Sequence, residues 1–164
     1  MSVSTRRRLL EGLVLGMLIV GCAGVATAQE KDPMIGTWKF NAAKSNWSPG
    51  PAPKEMTVTI EPAGPGRKVE VVGVAQDGSA IKWGFTGNFD SKDIKITGSN
   101  PDADVVMLKR LSPTTTRSTY KKGGNRTLVN GVSVSADGKT LTVASTGVNA
   151  KGQTVKNTSV YDKQ

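Results

Sequence analysis

The sequence predicts an all-β protein, a single up-and-down antiparallel β-barrel of about 8–10 strands. Three observations predict it. After the first 28 residues, no stretch has the apolar spacing of a long amphipathic helix. Short runs rich in Val, Ile and Thr alternate with Gly, Asp, Asn and Pro clusters roughly every 8–12 residues, the spacing of sandwiches and barrels. Within the best runs the apolar residues fall at every second position, which puts one face on a core and the other in water.

The strands are expected near residues 36–41, 56–62, 67–75, 80–89, 92–97, 104–111, 115–122, 126–134, 140–147 and 153–162. The clearest is 81–85. Ile81, Trp83 and Phe85 share one face, and Lys82, Gly84 and Thr86 share the other. Val132 and Val134 alternate with Ser133 and Ser135, and Leu141 and Val143 with Thr140 and Thr142. The turns carry their own chemistry. Asp77-Gly78 and Asp137-Gly138 supply the φ > 0 positions of tight hairpins. Gly123-Gly124-Asn125, Lys151-Gly152 and Ser112-Pro113 mark further turns. Nearly all connections are short, so a meander is the simplest topology, and closing it removes exposed strand edges.

One connection is different. Asn46-Trp47-Ser48-Pro49-Gly50-Pro51-Ala52-Pro53 has too many prolines for a helix or a central strand. It is expected to be an extended crossover or a flap over one barrel end. Trp47 is then either a plug packed on that end or a lid on a cavity.

The N-terminus reads as a secretory signal peptide over residues 1–28, leaving 29–164 as one barrel domain. Arg6, Arg7 and Arg8 form a basic region, and Leu9 to Val20 is mostly apolar but too short to span a bilayer, which takes roughly 20 residues. Ala26-Thr27-Ala28 carries small residues where a signal peptidase reads, so cleavage is expected between Ala28 and Gln29. Ile19-Val20-Gly21-Cys22 resembles a lipobox, which keeps a second processing open: lipidation of Cys22 and an outer-membrane-anchored lipoprotein. Either route exports the chain to the periplasm or the medium. Thr5 to Leu10 also looks like a twin-arginine signal, but no cofactor is expected, and an ordinary basic region suffices.

Cys22 is the only cysteine, and the sequence has no histidine. Disulfides, thiolate nucleophiles, Ser–His and Cys–His pairs and His/Cys zinc sites are therefore excluded from the barrel domain. Most carboxylates sit singly at turns, and neither a Gly-x-Ser-x-Gly elbow nor a phosphate loop is present. The chain is read as a non-enzyme with no catalytic residue, cofactor or metal. Asn100, Asp102 and Asp104 alternate as in a calcium loop, but Val105 stands where the loop needs glycine and Leu111 where it needs glutamate. The net charge of +9 falls to +7 without Arg6, Arg7, Arg8 and Glu11. The lysines are scattered with no interleaved aromatic ladder, which argues against nucleic acid and favours attraction to an anionic envelope surface.

At its two ends the barrel domain resembles the calycin superfamily, specifically lipocalins and fatty-acid-binding proteins, and small exported bacterial proteins of the lipocalin-like kind. Gly36-Thr37-Trp38-Lys39 looks like the Gly-x-Trp opening whose tryptophan closes the barrel floor. Asn157-Thr158-Ser159-Val160-Tyr161-Asp162-Lys163 looks like the last strand of fatty-acid-binding proteins. There the carboxylate-binding Arg-x-Tyr would fall on Ser159 and Tyr161, so the arginine is missing. The helical lid of those proteins is replaced by the proline-rich stretch. The resemblance implies a ligand inside a barrel, Tyr161 as a ligand contact, and Trp38 on the floor with Arg110 stacked on it.

The remaining sites follow from which face points inward. Val155, Asn157, Ser159 and Tyr161 share a face, and buried polar groups imply water or a ligand inside. The ligand-binding candidates are Tyr161, Ser159, Asn157, Trp83, Phe85 and, as an internal cation, Arg117. The expected function is an exported protein that binds a lipid or other small apolar or amphipathic molecule inside the barrel. The other reading is an envelope-associated structural or protein-interaction module with a filled barrel and no ligand.

Overall fold

The computed structural model describes residues 32–164. Residues 1–28, expected to be a leader, with Cys22 and the Ala28–Gln29 junction, lie outside the described residues. The elements are β1 (Gly36–Phe40), a 3-10 turn (Ala42–Lys44), β2 (Glu55–Ala63), β3 (Gly66–Val74), β4 (Ala80–Gly87), β5 (Ile94–Lys95), β6 (Thr97–Ser99), β7 (Val105–Ser112), β8 (Thr115–Lys122), β9 (Asn125–Val134), β10 (Thr140–Val148) and β11 (Thr154–Lys163).

Each strand pairs antiparallel with its neighbour in one sheet of order β5-β7-β8-β9-β10-β11-β1-β2-β3-β4-β6. The meander closes on itself because β1 lies between β2 and β11, with Trp38 opposite both Val58 and Lys163. The two sheet edges, β5 and β6, are successive parts of a single segment. Ile94 and Lys95 pair with β7, and Thr97 to Ser99 pair with β4. The barrel is thus nearly closed, an antiparallel meander as the sequence predicts.

The expected strand at 92–97 is corrected by this crossing. Ile96 turns into the core, and its N–H bonds to the Asp104 carbonyl at 2.9 Å. Gly98 then bends the chain onto β4 at φ +79, a position where a Cβ would collide with the Lys82 carbonyl oxygen. One residue type therefore decides where the segment changes partner.

The two barrel ends differ. At the floor, Met34 and Trp38 are wholly buried among Ile60, Leu108, Val134 and Leu141. The Trp38 indole N–H donates to the Met34 carbonyl at 2.9 Å, which locks the entering chain under the barrel. At the other end, the 3-10 turn and the proline-rich stretch form a strap. Asn46 exchanges two backbone bonds with Thr158 at 2.8 and 2.7 Å, and the Lys156 N–H donates to the Ser48 carbonyl at 2.7 Å. The strap thus takes up the part of β11 that β1 is too short to reach.

Candidate functional site

Alternation along the staves builds the site. From β2 come Met56, Val58 and Ile60, from β3 Val69 and Val71, and from β4 Ile81, Trp83 and Phe85. Across from them stand Ser118 and Tyr120 of β8, Asn130 of β9, Ser145 of β10, and Asn157, Ser159 and Tyr161 of β11. These walls enclose a cavity of about 670 Å³. Trp47, Pro49 and Pro51 of the strap line its mouth, with Asn100 and Asp102 of the β6–β7 loop. The strap covers a space rather than filling it, so Trp47 sits as a lid. Its ring meets Phe40 edge-on at 6.3 Å, and Phe40 meets Tyr161 at 5.7 Å.

The structure brings five of the sequence-derived ligand candidates together: Tyr161, Ser159, Asn157, Trp83 and Phe85 all line this cavity. The face of β11 that carries them is the inner one, because Ser159 and Tyr161 are buried while Thr158 is exposed. Trp83 stacks with Phe85 at 6.4 Å and meets Tyr120 edge-on at 6.3 Å. Burial pushes the Tyr120 phenol up to about 12 and pushes Tyr161 up as well. Both are neutral hydroxyls at neutral pH, able to donate a hydrogen bond but carrying no charge.

Two placements are corrections. Arg117 is exposed on the outer face, because β8 turns Thr116, Ser118 and Tyr120 inward and a residue between them must face out. Arg110 does not stack on Trp38. Its guanidinium lies 4.2 Å from the Phe89 ring centroid and hydrogen-bonds Asp32. The cation over Trp38 is instead Lys163, its register partner on β11, with the ammonium 4.9 Å from the ring centroid.

The internal cation is Arg67, which sequence reasoning missed. It is 4 % exposed and lines the cavity at the floor end. Its guanidinium lies 4.6 Å from the Phe89 centroid, 3.8 Å from the Asp32 carboxylate and 3.3 Å from the Met34 sulfur. Burial lowers its pKa to about 10, and it remains a cation at neutral pH. Its Nε has no hydrogen-bond partner among the described residues. The signal was available: Arg67 keeps step with Val69 and Val71, both of which point inward.

Asn100, Asp102 and Asp104 form no cation cage. Their oxygens accept from the backbone N–H groups of Asp102, Ala150 and Gly123 respectively, tying the mouth loops together. Among the described residues no cluster of His, Cys, Asp and Glu has metal-binding spacing.

No protein-family model and no curated protein matches the chain. Solved structures do. The zebrafish ileal bile-acid-binding protein complexed with cholic acid matches at 11% identity and TM-score 0.49, over 80% of this chain and 99% of that one. A redesigned β-barrel, mFAP1, bound to DFHBI, matches at 15% identity and TM-score 0.40, over 80% of this chain and 95% of that one. The fold stands on the strand order and register above, not on these distant likenesses.

Proposed function

We propose that this protein is an exported carrier of a small apolar or amphipathic molecule, held inside the barrel beneath the strap. The observation that carries this reading is the cavity of about 670 Å³ with one apolar wall and a few polar groups opposite. Ligand sites are commonly ~300–1,000 Å³, mostly apolar, with a few placed polar groups. The affinity would come from burial of apolar ligand surface, at about 25 cal/mol per Å² before the cost of association. Tyr161, Ser159 and Asn157 would set orientation, and Trp83 and Phe85 would supply apolar contact. The leader 1–28 would export the chain, with Gln29 or a lipidated Cys22 as the first residue, and the positive domain would favour an anionic envelope surface. A filled barrel acting only as an interaction module would require side chains to occupy the space that lies under Trp47.

The test is mass spectrometry of the protein taken from its native compartment, under native and then denaturing conditions. A small molecule released only on denaturation is the expected result. A bare protein that also fails to bind the apolar dye Nile red would overturn the reading. The denatured mass reads the first residue at the same time.

A further inference from the structure

Four polar side chains stand side by side on the cavity wall. Ser118 of β8 is the register partner of Asn130 of β9, Asn130 of Ser145 of β10, and Ser145 of Asn157 of β11. All four line the cavity. Neighbouring strands lie about 4.8 Å apart, so this row offers a hydroxyl or an amide at that interval. The row also climbs. Ser118 is midway along β8, whereas Asn157 is near the mouth end of β11, where the strap bonds to it. It is a ribbon of neutral hydrogen-bonding groups running from the depth of the barrel toward its opening.

The facing wall is apolar apart from the indole N–H of Trp83 and the Arg67 guanidinium at the floor. Val58, Val71 and Trp83 form one row of register partners there, and Ile60, Val69 and Phe85 another. The ribbon is also incomplete in itself: the buried Asn130 Oδ1 has no hydrogen-bond partner among the described residues. At the mouth, the buried Trp47 Nε1 lacks one as well. The first needs a donor and the second an acceptor, and a hydroxyl supplies either. No charged side chain belongs to the ribbon; the buried Arg67 lies apart from it at the floor, against Met34, Asp32 and Phe89, with only its Nε lacking a partner among the described residues.

We propose, resting on the carrier reading above, that the cavity takes a rigid neutral polyol: a fused-ring hydrocarbon with hydroxyl groups along one flank. The hydroxylated flank lies on the Ser118–Asn130–Ser145–Asn157 ribbon, and the bare flank lies on the β2–β4 wall. Rigidity matters because a flexible chain loses more freedom in presenting several groups to a fixed row. A carboxylate is not the group this ribbon selects, because the ribbon holds no cation and Arg67, at the floor, already faces the Asp32 carboxylate.

The experiment is displacement of Nile red from the full barrel by three competitors: androstane, an androstanetriol with all hydroxyls on one face, and palmitate. The triol is expected to bind at least about tenfold tighter than androstane, a difference of about 1.4 kcal/mol, and tighter than palmitate. Asn130→Leu and, independently, Ser145→Ala should shrink the triol-to-androstane ratio severalfold. Ser133→Ala, on the outward phase of β9, should leave that ratio as it is. Thermal melts establish that each variant is folded. Equal binding of triol and androstane, or a preference for palmitate, overturns the polyol assignment while the carrier reading stands. Failure of Nile red itself to bind overturns both.

Discussion

The backbone N–H of Ser48 donates to the side-chain oxygen of Asn157 at 2.8 Å, so the strap is fastened to a residue of the cavity it covers. Asn157→Ala removes that bond without touching the backbone pairs of Asn46 and Lys156. At about 1 kcal/mol net for the bond, strap opening should become roughly fivefold more frequent. Stopped-flow release of Nile red should accelerate accordingly, and limited proteolysis should cut faster within residues 46–53.

The Arg67–Asp32–Arg110 cluster predicts an acid limit on stability. Burial pushes the Asp32 carboxyl up, but the hydrogen bonds from Arg110 and the Met34 N–H and the charge of Arg67 outweigh it, and the net shift is downward. A depressed folded pKa means that the stabilisation is complete above the unfolded value of about 3.9 and is lost as pH falls through the folded one. Thermal melts of wild type should therefore hold steady down to the ordinary carboxylate range and fall below it. Asp32→Asn should cost about 1.5–3 kcal/mol at pH 7, because it leaves two arginines with no anion between them. It should also flatten the acid limb in part. Asp77, Asp137 and Asp162, each lowered by its own hydrogen bonds, keep the remainder.

Trp38 closes the floor with 0 % exposure and a bonded indole N–H. Trp38→Ala should cost about 3–5 kcal/mol in urea unfolding. Trp38→Phe retains much of the packing, loses the bond to Met34 and should cost less. Lys163→Met, which removes the cation over that ring and its long bond to the Pro33 carbonyl, should stay within about 1 kcal/mol.

Two glycines with similar φ, Gly78 at +89 and Gly98 at +79, should respond differently. At Gly78, φ is +89 and a Cβ would meet only open space, so Gly78→Ala incurs backbone strain alone, about 1–2 kcal/mol. At Gly98 the same strain is joined by a clash with the Lys82 carbonyl. Gly98→Ala should be the worse of the two by about 1–3 kcal/mol in thermal melts, because the backbone oxygen cannot move without breaking the β4–β6 ladder.

Most staves are legible in the sequence because they run with a two-residue period between turn residues, several of them glycines at φ > 0 such as Gly78, Gly123 and Gly138. The β10 positions Leu141, Val143 and Ser145 point inward in that phase. What is not legible depends on register. The Ser118–Asn130–Ser145–Asn157 ribbon exists only because four strands align those residues, and nothing local in any one strand reveals the alignment. The floor resists reading for a related reason. Analogy with lipocalins puts Arg110 on Trp38, whereas Asp32 and Phe89, which engage it, come from the entering chain and the β4–β5 connection. Arg67 beside Lys68 resembles a solvated basic pair, and only its step with Val69 and Val71 separates the two.

The pairing of β1 with β11 joins the described stretches most distant in sequence. Contacts of that range form slowly, and all-β topologies fold over roughly milliseconds to seconds. Until that ladder zips, the wall has no far side and the interior cannot grip a guest. A carried molecule therefore has nothing to hold while the chain is folding, and it slows unfolding without hastening folding. Loaded and empty protein should refold from urea at the same rate and differ only in how long they last once formed.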